Sequence, residues 1–125
     1  MIVDKAFMES YYATYNSEDP EALRAFYHPN VVLASAQGEQ QGVESILETY
    51  RYLIAHFSDQ MTAENVDIVG DIATVDIVDR FVAKTAVADF MGNSFKQGDE
   101  FELRLQGKYQ FFEGKFQRID ISMRS

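Results

Sequence analysis

The stretch Phe101–Phe111 constrains this chain more than any other. Phe101, Leu103, Leu105, Tyr109 and Phe111 alternate with Glu102, Arg104, Gln106, Lys108 and Gln110. Successive side chains of a strand point to opposite faces, so this pattern predicts a long strand with one apolar and one solvated face. One dry face and one wet face is the habit of antiparallel sheets, and the dry face has to be covered.

The N-terminal half supplies the cover. Residues 4–17 carry Phe7, Tyr11 and Tyr15 at four-residue intervals, flanked by Met8 and Tyr12, which predicts an amphipathic helix. Asp19 suits a cap and Pro20 a first helical position, so a second, short helix follows, with Leu23, Phe26 and Tyr27 on one face. His28-Pro29-Asn30 ends it, because the residue before a proline is pushed out of the α region. Val31–Ser35 predicts a short strand, and 36–42 a loop. Val43–Phe57 predicts a third helix with Ile46, Tyr50, Leu53 and Phe57 facing inward.

The remainder predicts β structure. Residues 61–84 hold two strand patterns joined at Gly70-Asp71, a hairpin-turn signal. Glu113–Lys115 turns into a final strand, Phe116–Met123. Thr85–Gln97 is the least patterned stretch and is expected to be a flap or an irregular hairpin. The order α-α-β-α-β-β-β-β, with helices segregated from strands, predicts an α+β fold. It consists of a curved, mostly antiparallel sheet wrapped on one side by three N-terminal helices. Such a cone opens into a cavity at its wide end. At 125 residues the chain has room for one core, so 1–125 is read as a single domain.

Composition excludes several functions. Twenty acidic residues against eleven basic ones give a net charge of −9, with no cluster of Lys or Arg. Nucleic acid and anionic membrane surfaces are therefore not expected partners. The chain has no cysteine, which removes disulfides, thiolate metal sites and thiol nucleophiles. His28, read at a helix C-terminus, and His56 show no metal-ligand spacing. There is no Gly-rich phosphate loop and no nucleophile elbow, so neither a metal nor a cofactor is expected. No apolar run has the length of a leader or a membrane span, and the expected location is cytoplasmic.

Two sets of residues stand out. On the strand after Gly70 one face reads Ala73, Val75, Ile77, Asp79 and Phe81, and the other Thr74, Asp76, Val78, Arg80 and Val82. A carboxylate within an apolar face is desolvated, which raises its pKa and suits it to acid–base work. Asp79 is thus the leading candidate, against a strand-end carboxylate paired with Arg80 or Arg104. Tyr11, Tyr15, Tyr27, Tyr50 and Tyr109 are expected to converge inward, either as a ring of hydroxyls that holds a ligand or as rings filling a core.

The segments 15–33 (YNSEDPEALRAFYHPNVVL), 41–50 (QGVESILETY), 69–77 (VGDIATVDI) and 109–119 (YQFFEGKFQRI), in this order and spacing, resemble the nuclear transport factor 2-like superfamily, and within it the SnoaL-like polyketide cyclase and ketosteroid isomerase group. The resemblance implies a cystatin-like cone with a small-molecule cavity. In the isomerases a first-helix tyrosine hydrogen-bonds the substrate oxyanion, and that position falls on Tyr11. The carboxylate base falls on Ser35 and the second carboxylic acid on Gly107, so two of the three groups are missing. An ungapped comparison with the isomerases also turns the Asp76 face toward the cavity, in opposition to the apolar count. Arg118 and Asp120 are read on the outer sheet face, since Ile119, Ile121 and Met123 form the inner one. The resemblance further implies a homodimer through that outer face, to which Val78 and Val82 could contribute.

Three functions compete on these grounds. An isomerase, cyclase, dehydratase or hydrolase would use Asp79 or Asp76 with Tyr11 on a small, mostly apolar substrate. A non-catalytic binding module would place Tyr11, Tyr15, Tyr27, Ser35, Tyr50 and Tyr109 around a ligand. An interaction module would have its cone filled by side chains.

Overall fold

A computed structural model describes residues 4–124. Three helices precede and interrupt an open sheet: α1 (Lys5–Asn16), α2 (Pro20–Arg24), β1 (Tyr27–Ser35), β2 (Gly38–Gln41), α3 (Val43–His56), β3 (Phe57–Val69), β4 (Ile72–Ala83), β5 (Val87–Phe90), β6 (Asn93–Phe95), β7 (Glu100–Phe112) and β8 (Lys115–Met123). The main sheet runs β2-β1-β8-β7-β4-β3, and β5 and β6 form a separate two-stranded hairpin. All described neighbours in the main sheet are antiparallel except β1 and β8. Among the described residues no helix is long and apolar enough to cross a membrane.

Local chemistry sets the boundaries. Asp4 caps α1 by accepting from the Phe7 amide, and Asp19 caps α2 by accepting from the Ala22 amide, with Pro20 in the first helical turn. α3 touches both β1 and β3, which lie toward opposite ends of the sheet order. One helix can reach both only if the sheet bends around it, and that bend makes the cone.

The alternation in 101–111 behaves as expected: Leu105, Gly107, Tyr109 and Phe111 are buried and their neighbours exposed. The inner face of β4 is the apolar one, with Ala73, Val75, Ile77, Asp79 and Phe81 all buried. This corrects the orientation implied by the isomerase comparison. Asp76 lies on the outer face, where its carboxylate accepts from the Gln106 side chain. Val78 and Val82 share that face and are half-buried. The main core joins Met8, Tyr11 and Tyr15 of α1 to Ile46, Leu47 and Tyr50 of α3 and to Ile77 and Tyr109 of the sheet. Each such aliphatic side chain, fully buried, stabilises the fold by about 1.5–3 kcal/mol.

Three expectations need correction. Phe26 and Tyr27 lie beyond the second helix, and β1 already begins at Tyr27, which places His28 in a strand. Pro29 is tolerated there because the β1–β8 pairing is interrupted between Tyr27 and Val32, so its missing N–H leaves no ladder bond unmade. The segment 36–42 is not all loop, since β2 pairs along the free edge of β1. The third helix ends at His56 and Phe57 already opens β3, while the stretch 85–97 contains the β5–β6 hairpin, irregular in register as expected.

Gly107 has a packing role. The Tyr109 ring folds back over it, and a Cβ at Gly107 would sit 2.6 Å from Tyr109 Cε2. That ring cannot swing away freely: Tyr109 accepts a hydrogen bond from the Tyr12 hydroxyl at 2.9 Å and packs on Phe116 at 5.0 Å between ring centres. Gly107→Ala is therefore expected to lower stability by about 1–3 kcal/mol, read as a lower urea midpoint with an unchanged slope. An unchanged midpoint would contradict this account of the packing.

Candidate functional site: a buried carboxyl pair in an apolar cavity

The site begins in the register of two strands. Met61 of β3 stands opposite Asp79 of β4, and Asp59 stands opposite Phe81. Asp59 and Asp79 are thus diagonal neighbours on the inner face, close enough for side chains to meet. Both are nearly sealed from water, at 1% and 3% exposure. Their carboxyls lie close enough for each to shift the other's proton affinity.

A third group fixes the pair. The Tyr15 hydroxyl of α1 donates to Asp59 Oδ2 at 2.6 Å, the short distance of a hydroxyl bonded to an ionised carboxylate. Tyr15 is itself held in place, because the Tyr50 hydroxyl of α3 donates to its backbone carbonyl and the two rings pack at 4.9 Å. Asp59 Oδ1 and Asp79 Oδ1 are buried and find no other donor among the described residues. The protons that can serve them are one held by the pair itself or one brought by a water or a ligand.

Electrostatics gives the two acids different roles. Burial raises the proton affinity of Asp79 far above the usual carboxylate range, and the hydrogen bond and negative charge of Asp59 raise it further. Burial also raises Asp59, but the bonds from Asp79 and Tyr15 oppose that rise. Two carboxyls in contact without a counter-charge cannot both ionise near neutrality. These directions make Asp79 the member of the pair that holds a proton more tightly and Asp59 the one that gives it up more readily.

The pair faces space. A cavity of about 220 Å³ is lined by Asp59, Asp79, Tyr15, Ser35, Leu103 and Met91 among others, and among the described residues no Lys or Arg lines it. A second cavity of about 110 Å³ is lined by Tyr11, Tyr15, Tyr27, Tyr50 and Tyr109. Tyr15, Leu53, Met61 and Ile121 line both, so the two spaces adjoin. The cone is not filled by side chains.

The residues singled out in the sequence fall into three places. Asp79 lines the larger cavity, and Ser35 lines it as well, with its hydroxyl accepting from the Gln37 amide. Tyr11 does not reach the acids: its hydroxyl bonds that of Tyr27 at 2.8 Å beside the smaller cavity. Asp76 is outside the cone altogether. Arg80 and Arg104 do not neutralise Asp79; Arg80 pairs with Glu100 at the surface. Arg118 and Asp120 pair with each other at partly exposed positions.

Asp59 escaped the sequence reading. The signal was the alternation Phe57, Asp59, Met61, Ala63, which continues the inner face of β3 directly from the end of α3. Starting the strand at Met61 hid it.

Comparison with known proteins agrees with this fold. The model of the SnoaL-like domain matches residues 8–119. The chain belongs to the SnoaL-like family. No curated protein sequence matches it. Similar solved structures include a candidate polyketide cyclase from Pseudomonas putida, with TM-score 0.75, 18% identity, and coverage of 94% of this chain and 88% of that one. An epoxide hydrolase of the LEH-like type from M. tuberculosis has TM-score 0.75 and 9% identity, covering 94% and 79% of the two chains. A protein with a ketosteroid isomerase-like fold from Catenulispora acidiphila, solved in complex with trimethylamine, has TM-score 0.76 and 15% identity, covering 95% and 85%. At these identities the likeness shows a shared fold.

Proposed function

We propose that this SnoaL-like domain is an acid–base enzyme acting on a small, neutral, mostly apolar molecule that carries a carbonyl or epoxide oxygen. The observation that carries the reading is the Asp59–Asp79 pair, buried without a counter-cation at the wall of an apolar cavity. A structural ion pair would include a cation, and a core position would be apolar at lower cost. Perturbed acids in a cavity are what proton-transfer chemistry needs.

The chemistry follows from the proton count. Asp79 holds a proton and can donate it to the substrate oxygen as charge develops there. Asp59 is ionised and can accept a proton, either from carbon next to a carbonyl, as in isomerisation or cyclisation, or from water attacking an epoxide. Tyr15 keeps Asp59 aimed and ionised. In hydrolysis or cyclisation the substrate keeps the proton given by Asp79, and Asp59 then passes its own to Asp79 across their shared contact; in isomerisation Asp59 delivers its proton to the γ-carbon while the enol oxygen returns its proton to Asp79. Asp89, Asp99 and Glu100 lie along the surface grooves next to the cavity, which disfavours anionic substrates.

Isomerisation of 3-cyclohexenone to the conjugated enone and hydrolysis of styrene oxide test the two branches directly. Wild-type protein is expected to accelerate at least one of them above the buffer rate. Failure with both, together with no rise in melting temperature in the presence of either compound, would contradict the reading.

A second reading is favoured by the missing cation. A small amine would supply the positive charge that the lining lacks, as a non-catalytic ligand, and one structural neighbour was solved in complex with trimethylamine. This reading expects trimethylammonium chloride to raise the melting temperature at pH 8, with no response to the neutral ketone and epoxide.

A further inference from the structure

The tip of the β5–β6 hairpin breaks a local rule. Met91 and Gly92 both have positive φ, 54° and 82°, between Phe90 and Asn93, which pair across the turn. Two successive residues of positive φ make the tight turn that fits strand twist, and such turns prefer Asn or Asp followed by Gly. Methionine has no short polar group to bond its own backbone in that conformation. Here neighbours hold the turn instead: the Gly92 amide donates to Asp89 Oδ1 at 3.1 Å and the Asn93 side chain donates to the Met91 carbonyl at 3.3 Å. A residue that its turn does not favour, held by its surroundings, is placed for what its side chain does elsewhere.

That side chain is a partition. Met91 is the single hairpin residue among those described that lines the cavity of Asp59 and Asp79. It also lines a groove of about 440 Å³ formed with Phe95, Phe101 and Leu103, and another beside Gln37 and Leu53. Gln37, Leu53 and Leu103 each border the cavity as well, so Met91 completes a rim between the acids and the outside. The hairpin carrying it is anchored on an aromatic pad, with Phe90 4.9 Å from Phe57 and Phe95 4.8 Å from Phe101 between ring centres. Met91 itself remains 43% exposed, with room to move outward. A flexible thioether on a rigid base suits a rim that adapts to the molecule passing it.

We propose that Met91 is the selectivity residue of this cavity: it closes the mouth from the hairpin tip and sets the size of apolar molecule that reaches Asp59 and Asp79. The proposal rests on the cavity being the binding site, and its test uses an unreactive probe so that acid–base chemistry plays no part.

Stopped-flow uptake of N-phenyl-1-naphthylamine, a neutral dye that brightens in apolar surroundings, reads access to the cavity. Met91→Asn gives the turn a residue that it prefers and removes the apolar cover. It is expected to hold or raise the melting temperature while the uptake rate rises several-fold. Met91→Gly, which also tolerates the turn, is expected to do the same, and Met91→Trp to slow uptake. Uptake at one rate by wild type and all three variants overturns the role of Met91 and leaves the cavity reading standing. Uptake by none of them overturns both. Uptake by the Asn and Gly variants alone supports a closed mouth in the wild type.

Discussion

Asp59→Asn is expected to reduce turnover of the responsive substrate by about 10²–10⁴-fold, the range that a positioned general acid or base contributes. Asparagine matches the shape of the carboxyl but cannot take a proton. Its amide nitrogen can no longer accept from Tyr15 if it faces that hydroxyl, and its carbonyl can if it does, so the fold is expected to survive. Loss in kcat with little change in KM would mark a group used in the transition state rather than in binding. The wild-type pH profile follows from the same pair. Activity requires Asp59 ionised and Asp79 protonated. Burial raises both, so the rate rises with pH above the ordinary carboxylate range, and falls when Asp79 also loses its proton. Full activity in Asp59→Asn, or a profile that rises at the pH of an exposed aspartate, would contradict the assignment.

Asp79→Asn is expected to make the protein more stable and less active at once. The folded-state pKa of Asp79 is raised by burial above its unfolded value. The native state therefore binds more protons than the unfolded state between those two values, and stability falls as pH rises through that interval. With an unfolded pKa near 3.9, holding the proton at pH 7 costs up to about 4 kcal/mol. Asparagine removes this linkage, although its own polar atoms remain buried. A net gain of about 1–3 kcal/mol at pH 8 is expected, or roughly 3–10 °C in melting temperature, shrinking toward zero near pH 4. Denaturation of both proteins at the two pH values measures it. An equal loss of stability at both would show that the charge on Asp79 is not what the fold resists. Gains of this kind at the cost of activity are the usual mark of a site kept for function.

How far the sequence spoke depended on how each element is stabilised. β7 was legible because its pattern is periodic over its whole length, with one face on the core and one in water. The face of Asp79 was left open between the apolar count and an alignment without gaps, and the four apolar neighbours that share its face prove decisive. The start of β1 was hidden by Pro29, whose lack of an N–H is harmless where pairing lapses. β2 was hidden because Gly38–Gln41 has no β-branched residue and pairs only because β1 offers an open edge. The donor to the acids was sought at Tyr11, yet one helical turn separates it from Tyr15, the residue that reaches Asp59. That distinction depends on depth along the cone, and periodicity places both tyrosines on the same stripe. The pair itself could not be read from either strand alone, since it exists only through the register of β3 on β4.

Carbon-13 NMR titration of aspartate carboxyls measures the shared proton most directly. Protein labelled at the aspartate side-chain carboxyl, with Asp59→Asn and Asp79→Asn for assignment, should show one resonance that stays in the protonated range through neutral pH and belongs to Asp79. A spectrum in which every aspartate, these two included, is ionised by pH 6 would contradict the account.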